Sequence, residues 1–221
     1  MESPIYFIMF FFLLPCAIAA PNPKRCGVVN RVSTVHGREV EHKWWKTDLT
    51  YSIENLIDSM PEATIRKAIR DAFAVFTRVT PLTFREVYSG GDINIKFGRN
   101  GHACQFTFDG NGGALAHAIM PMKGTFVHFD ADEEWTVMNE RNLPHGKTDF
   151  LGTAIHEIGH ALGLDHESNN PNSIMYDYDK PPVDQFGNYV RPRLDAAVIR
   201  KLQRKYGSGR TAGGQSSRLF R

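Results

Sequence analysis

The sequence predicts a single α+β domain, and three observations lead to that class. Segments with the pattern of β-strands fall mostly in the first part of the chain, between residues 48 and 129. A histidine-rich helical segment follows near residues 150–163, and an amphipathic helix near residues 194–206 comes last. The chain has 221 residues, of which 42% are apolar, enough for one well-buried core but not comfortably for two. Strands followed by helices, rather than strict alternation, are typical of α+β domains.

The first 19 residues have the pattern of a secretory signal peptide. Residues 5–14 are an apolar run too short to span a bilayer, and Ala17 and Ala19 supply the small residues that precede a cleavage point. We therefore expect a secreted, extracellular protein without a membrane anchor. The net charge of +2, without a dense Lys/Arg block, argues against a nucleic-acid partner. Residues 20–42 form a polar leader with no sustained periodicity.

The remaining elements follow from periodicity and from turn residues. Alternating or apolar runs predict strands at 48–53, 82–87, 93–97, 114–120 and 125–129. Apolar residues at helical spacing predict a helix that Pro61 opens and that ends before Pro81. Residues 98–113 form a long Gly-rich loop, and Thr148 or Asp149 caps the helix that runs to about Gly163. The Gly/Ser-rich tail, residues 208–221, is predicted to be disordered.

The strongest chemical signal is a group of three histidines around that helix. His156 and His160 are four residues apart, so a helix places them one turn apart on one face, where they can bind one zinc ion. Gly163 can end the helix in the left-handed conformation, which lets His166 approach as a third ligand. Three neutral imidazoles leave the fourth position free for water, as in catalytic zinc sites. Glu157 is then the candidate general base, which takes the proton of that water and passes it to the leaving amine.

The chain resembles the metzincin zinc peptidases. The resemblance rests on residues 156–166 and on Ser173-Ile174-Met175-Tyr176, because a Met-containing turn lies beneath the metal in that clan. Segments 43–51, 79–84 and 128–136 further resemble the matrix metalloproteinases, or matrixins. The likeness extends over residues 43–207 and implies a catalytic domain with a twisted five-stranded sheet, mostly parallel with one antiparallel edge strand, and three helices. Met175 would pack below the metal rather than bind it.

The same resemblance implies a substrate class and partners. It implies a zinc metalloendopeptidase whose protein substrate lies extended along residues 114–118, as an added strand. Extracellular matrix proteins such as collagen would be the substrates, protein inhibitors would be further partners, and the protein would be a monomer. The chain resembles the minimal members of the family, without a haemopexin-like domain.

Two further metal sites are implied by the resemblance. A structural zinc would be held by His102, Cys104, His117 and His128, with Cys104 at the place where the family has Asp; thiolate is a sound zinc ligand. The alternative for Cys104 is a disulfide with Cys26, as expected for two cysteines in an oxidising compartment. A single calcium site would use carboxylates and backbone carbonyls of a Gly-rich turn. Its members are Asp109, Gly110, Gly112, Ala114, Asp130 and Glu133.

Two departures from the family concern regulation and specificity. Cys26, within Pro23-Lys24-Arg25-Cys26-Gly27, resembles a cysteine switch, in which a leader thiolate occupies the open zinc position. Lys24 is an extra residue there, and no folded prodomain separates the signal peptide from Cys26, so we expect weak latency. Gly152 stands where the family often has Leu. This predicts a deep specificity pocket that takes a long apolar side chain after the cut bond.

The sequence also allows two alternatives to a matrixin-like enzyme. Glu167, directly after the third histidine, is typical of astacins, so an astacin-like zinc endopeptidase is one alternative. A catalytically silent zinc-binding decoy is the other.

Overall fold

The computed structural model describes residues 23–29, 34–35, 38–39, 42–102, 104 and 106–209. The signal peptide expected at residues 1–19 and most of the expected disordered tail lie outside these residues. Among the described residues no helix is long and apolar enough to cross a membrane. The helices are α1 (Glu62–Thr77), α2 (Phe150–Ala161) and α3 (Ala196–Tyr206). The strands are β1 (Arg25–Val29), β2 (Thr34–Val35), β3 (Arg38–Glu39), β4 (Asp48–Ile53), β5 (Thr83–Glu86), β6 (Ile93–Gly98), β7 (Ala114–Ile119), β8 (Thr125–Asp130), β9 (Trp135–Thr136) and β10 (Thr148–Asp149).

One mixed sheet, in the order β1-β7-β8-β6-β4-β5, forms the centre of the domain. Neighbouring strands from β8 to β5 run parallel, and β7 pairs antiparallel with β8. This is the predicted mixed sheet with three helices, and it confirms the α+β class. The five predicted strands all lie in this sheet, and β1 of the leader pairs in parallel with β7 and adds a sixth.

The sixth strand explains why the leader is not a structureless segment. An edge strand such as β7 presents unpaired N–H and C=O groups, and an extended segment can satisfy them through its own backbone. Such pairing leaves no signature in side-chain periodicity. The short pairs β2–β3 and β9–β10 were likewise not predicted.

Helices α1 and α2 pack against each other and cover the sheet with apolar side chains. Ile65, Ile69 and Phe76 of α1 are fully buried. Phe150, the first residue of α2, packs its ring 4.9 Å from that of Phe129 and 5.5 Å from that of Trp135. Burying an aromatic side chain of this size stabilises the fold by about 2–3 kcal/mol. These contacts fix α2 on the sheet, and with it the histidines that it carries.

The two ends of α2 are determined by particular residues. Asp149 is the N-cap, and its carboxylate accepts a hydrogen bond of 2.8 Å from the backbone N–H of Gly152. Gly163 has φ +82°, and a Cβ there would lie 2.0 Å from the carbonyl oxygen of His42. The indole N–H of Trp44 donates to the carbonyl of Ala161 at 2.9 Å. The chain therefore turns at Gly163, directly after α2, and His42 and Trp44 at the start of the domain contact this end of the helix.

Candidate active site and metal centres

The three histidines of the motif converge on one point. The Nε2 atoms of His156 and His160 are 2.9 Å apart, and those of His156 and His166 are 3.2 Å apart. Ligands at about 2.0–2.1 Å from a tetrahedral zinc ion are separated by roughly 3.3 Å. The spacing therefore fits a zinc ion shared by three imidazoles, and three lone pairs facing each other favour a cation between them.

The other ring nitrogen of each histidine has its own acceptor. His156 Nδ1 lies 2.7 Å from the carbonyl of Ile174, and His160 Nδ1 lies 2.7 Å from that of Leu164. His166 Nδ1 lies 3.0 Å from Asp177 Oδ1. With Nδ1–H donated to an acceptor, each Nε2 keeps its lone pair for a metal. Sequence reasoning missed Asp177, since an acidic residue after the Met-containing turn carries no signal of its own.

Burial keeps these imidazoles neutral. It is the main cause that lowers the pKa of His156 to about 4, and it also lowers the pKa of His160. Neutral imidazole is the form that binds a metal, so the site has little competition from protons at neutral pH.

Glu157 lies beside this cluster with its carboxylate enclosed by the protein. The residue is fully buried, and neither carboxylate oxygen has a well-formed hydrogen bond among the described residues. Burial raises its pKa to about 8, while interaction with the Cys26 thiol acts in the opposite direction. An unsatisfied buried carboxylate is costly without a nearby cation or donor. A metal ion at the three histidines, together with a water molecule, would supply both.

Cys26 of the leader reaches the same place. It is 8% exposed, and one ligand atom each of Cys26, His156 and Glu157 lie within 4.8 Å of one another. Burial, followed by the charge of Glu157, raises the pKa of the thiol. The backbone N–H of Cys26 donates to the carbonyl of Asp177 at 3.3 Å, so the leader lies between β7 and the segment after Met175.

The second predicted cluster also assembles. One ligand atom each of His102, Cys104, His117 and His128 lie within 4.8 Å of one another. Cys104 Sγ is 3.5 Å from His117 Nε2, which is 3.2 Å from His128 Nδ1. The buried Nε2 of His102 has no hydrogen-bond partner among the described residues, as expected of a nitrogen available to a metal. Cys26 and Cys104 are both free thiols in separate clusters, so the structure does not contain the disulfide alternative.

The expected calcium ligands are only partly arranged for an ion. Asp130 Oδ2 is buried without a partner among the described residues, and burial with the charges of Glu133 and Asp109 raises the pKa of Asp130 to about 6. Asp109 Oδ1 instead accepts from the backbone N–H of Ala114 at 2.8 Å, and Glu133 accepts from that of Gly112. Gly110 and Gly112 both have positive φ. Among the described residues, the three carboxylates do not form a group with ligand atoms within 4.8 Å.

Met175 lies directly under α2. It is fully buried, and a Cβ on Gly159 would come within 2.6 Å of its sulfur. Glycine at 159 therefore admits the Met175 side chain beneath the helix that carries His156 and His160. Glu167 donates its backbone N–H to the Met175 carbonyl at 2.8 Å and forms an ion pair with Lys201, which gives Glu167 a structural role.

A cavity of about 300 Å³ opens beside His156. Its lining includes Gly152 and Thr153 of α2 and, from the segment between α2 and α3, Val183, Val190 and Pro192. A Cβ on Gly152 would lie 3.1 Å from Asp149 Oδ2 and 3.5 Å from the Pro192 ring, so a larger residue there would take up part of the cavity. Charged groups, among them the side chains of Asp149 and Asp179, also line the cavity.

The fold and this site define a class: an α+β domain that carries three convergent histidines with a buried carboxylate beside them, as zinc-dependent hydrolases do. Comparison of sequences is more specific. Residues 43–204 match the matrixin family. The chain belongs to that family, whose members depend on zinc.

Several relatives are similar over most of the chain. Matrix metalloproteinase-C of Caenorhabditis elegans is 44% identical over 195 residues, which cover 86% of this chain and 33% of the relative. Matrix metalloproteinase-16 of Homo sapiens is 40% identical over 199 residues, covering 80% and 31%. Macrophage metalloelastase of Oryctolagus cuniculus is 40% identical over 188 residues, covering 83% and 37%. The chain thus spans about a third of the length of these relatives.

Proposed function

We propose that the chain is a secreted zinc-dependent endopeptidase that cuts extended segments of extracellular proteins, with Glu157 as its general base and acid. The observation that carries the proposal is the convergence of three Nε2 atoms at 2.9–3.2 Å next to a buried carboxylate with no other well-formed partner. Membership of the matrixin family supports the same chemistry.

His156, His160 and His166 would hold the zinc ion, each oriented through its Nδ1 acceptor. When bound, zinc supplies Lewis acidity, which lowers the pKa of a water ligand and polarises a carbonyl. Glu157 would take the proton from that water and deliver it to the leaving amine, a role typically worth about 10²–10⁴ in rate.

The substrate would lie against β7, in the groove where the leader now lies. β1 shows that this edge accepts an extended chain, since its residues pair with 114–119. The side chain next to the cut bond would enter the cavity beside Gly152, and its volume of about 300 Å³ supports a long side chain. The names of the relatives support matrix proteins as the natural substrates. The signal-like sequence of residues 1–19 supports secretion.

We further propose roles for the remaining clusters. His102, Cys104, His117 and His128 would hold a structural zinc, because four ligands close the coordination shell. The carboxylates around Asp130 would bind one calcium ion, to which Glu133 would contribute Oε1, because its Oε2 faces Thr148 and Lys24. Cys26 would occupy the open zinc position as an inhibitory thiolate. We expect this latency to be weak, although the pairing of β1 with β7 adds backbone hydrogen bonds to the thiol contact.

Substitution of Glu157 tests the central proposal. A Glu157→Gln chain keeps the shape of the side chain and loses the base. In a Cys26→Ser background, we expect kcat on a quenched peptide to fall by about 10²–10⁴, with zinc content by mass spectrometry unchanged. The control is the Cys26→Ser chain that keeps Glu157, assayed with and without a chelator. Turnover that survives the Gln substitution would remove Glu157 from the mechanism.

A further inference from the structure

Lys24 of the leader enters a recess next to the proposed active site. It precedes Cys26 by two residues, and the strand register shifts between Arg25 and Cys26. Its ammonium group lies 2.6 Å from Thr148 Oγ1, 3.3 Å from the carbonyl oxygen of Gly146 and 3.4 Å from Glu133 Oε2. Its backbone carbonyl accepts from the N–H of Asp179 at 3.0 Å. Both the side chain and the backbone of Lys24 are therefore held.

The oxygen atoms of Glu133, Thr148 and Gly146 match the charge and the number of donors of a lysine ammonium group. That group has three N–H donors and no acceptor, and it meets three oxygen acceptors here. Converging acceptors suit a compact ammonium better than a planar guanidinium, which prefers two acceptors in one plane. The Lys24 side chain is 25% exposed, and that of Glu133 is 0% exposed. Solvent therefore screens the ion pair only partly.

The carboxylate of Glu133 is fixed in place independently of Lys24. One of its oxygens accepts from the backbone N–H of Gly112, and the other accepts from the Thr148 hydroxyl at 3.2 Å. Asp149 and Asp179 add negative charge nearby. Burial and the charges of Asp149 and Glu133 raise the pKa of Asp179 to about 6, whereas Lys24 acts to lower it. The surroundings are thus acidic and favour a cation.

We propose that Glu133, Thr148 and Gly146 form a lysine-binding subsite of the cleft. Lys24 fills it in cis, and a lysine side chain of a protein substrate fills it once the leader has left. The substrate half, in which a lysine of a protein substrate binds here, deepens the proposed peptidase function and rests on it. The leader half, in which Lys24 binds here, concerns only how the leader is held, and it can be measured without catalysis.

The leader half is tested by the reactivity of Cys26 in the full-length chain. Iodoacetamide alkylates a thiol that has left the cleft, and peptide mass spectrometry separates Cys26 from Cys104. Lys24→Met removes the charge at similar length, and we expect Cys26 to be alkylated about tenfold faster, as for loss of a hydrogen-bonded ionic contact. Thr148→Val should give a smaller acceleration.

The matched control is Lys43→Met. The Lys43 ammonium also belongs to the N-terminal part of the chain, but among the described residues its hydrogen bond is to the backbone carbonyl of Lys205, at 3.2 Å. Cys26 should react at the unsubstituted rate in this variant. The Cys104 rate reports whether each variant is folded. Cys26 reactivity in Lys24→Met equal to that of the unsubstituted chain, with Cys104 also unchanged, would overturn the subsite.

The substrate half uses a Cys26→Ser/Lys24→Met chain, which frees both the metal position and the recess. Paired quenched peptides carry lysine or norleucine at each position within three residues of the cut bond. At one position we expect a kcat/KM about fivefold higher for lysine, and adding Thr148→Val should abolish this preference.

The outcomes separate the two proposals. Equal cleavage of lysine and norleucine peptides at every position would overturn the substrate half of the subsite. If no peptide is cut by any variant, the peptidase function fails, and with it the substrate half. Cys26 alkylation still decides whether the recess binds Lys24.

Discussion

The two histidine clusters are built in different ways. His156, His160 and His166 come from one stretch of eleven residues, and each Nδ1 has an acceptor that fixes its ring. The second cluster joins His117 and His128, which pair across β7 and β8, to His102 and Cys104 from the long Gly-rich loop. A cluster fixed by its helix can be formed before the metal binds. A cluster that depends on a loop is expected to need its metal to hold that loop.

The largest effect should come from removing a ligand of the first cluster. His166→Ala leaves two imidazoles and exposes the site, so we expect loss of one zinc per chain and a fall in kcat/KM of about a thousandfold or more. Loss of the zinc should itself lower the unfolding temperature, because zinc stabilises only the folded state, while Leu164, Met175 and the helix remain packed and add no further loss. Metal content, peptide cleavage and thermal unfolding are measured on the same sample. Full zinc content with full cleavage would contradict the shared ion at this cluster.

Removal of a ligand from the second cluster should affect the stability of the protein more than its cleavage of peptides. Cys104→Ser should lower zinc content by one per chain and lower the free energy of unfolding by about 2–3 kcal/mol, as for loss of a ligand present at about a hundred times its dissociation constant. Cleavage by the folded protein should change only a few-fold. Cys104→Asp, which restores an anionic ligand, is the matched control and should recover most of the stability. Unchanged metal content in Cys104→Ser would exclude Cys104 as a ligand.

The smallest effect is expected from a residue that acts through a ligand. Asp177→Asn keeps an acceptor near His166 Nδ1 but removes its charge, and a change of this kind weakens metal affinity by about tenfold. Competition with a zinc chelator measures the affinity, and cleavage at saturating zinc should be nearly normal. A fall in cleavage without a change in affinity would place Asp177 in contact with substrate instead.

Much of this architecture could be read from the sequence because its determinants are local. The bounds of β4 agree with the alternating pattern at 48–53, and α1 follows the helical spacing of its apolar residues. The grouping of His156 with His160 depends only on helix geometry. Gly163 stands at the predicted turn with positive φ, as the approach of His166 requires.

The features that sequence reasoning did not find depend on residues that are far apart in the chain. β1 joins the sheet through backbone groups, which no side-chain pattern records. Lys24 contacts Glu133 and Thr148, which lie more than a hundred positions further along the chain. The sequence around Lys24 therefore does not indicate its partners. The pairing of His166 with Asp177 arises only when the chain turns back beneath α2.

The close approach at Gly163 has a consequence for maturation. The carbonyl of His42 lies where a side chain at 163 would be and accepts from the Lys205 ammonium at 3.0 Å, and the Trp44 indole is bonded to Ala161. A processing enzyme needs several residues in extended form, and these could be freed here only by pulling out a buried tryptophan. If a processing enzyme removes the leader, we expect its scissile peptide to lie upstream of His42, so that the new amino terminus keeps the contact of His42 with the last helix.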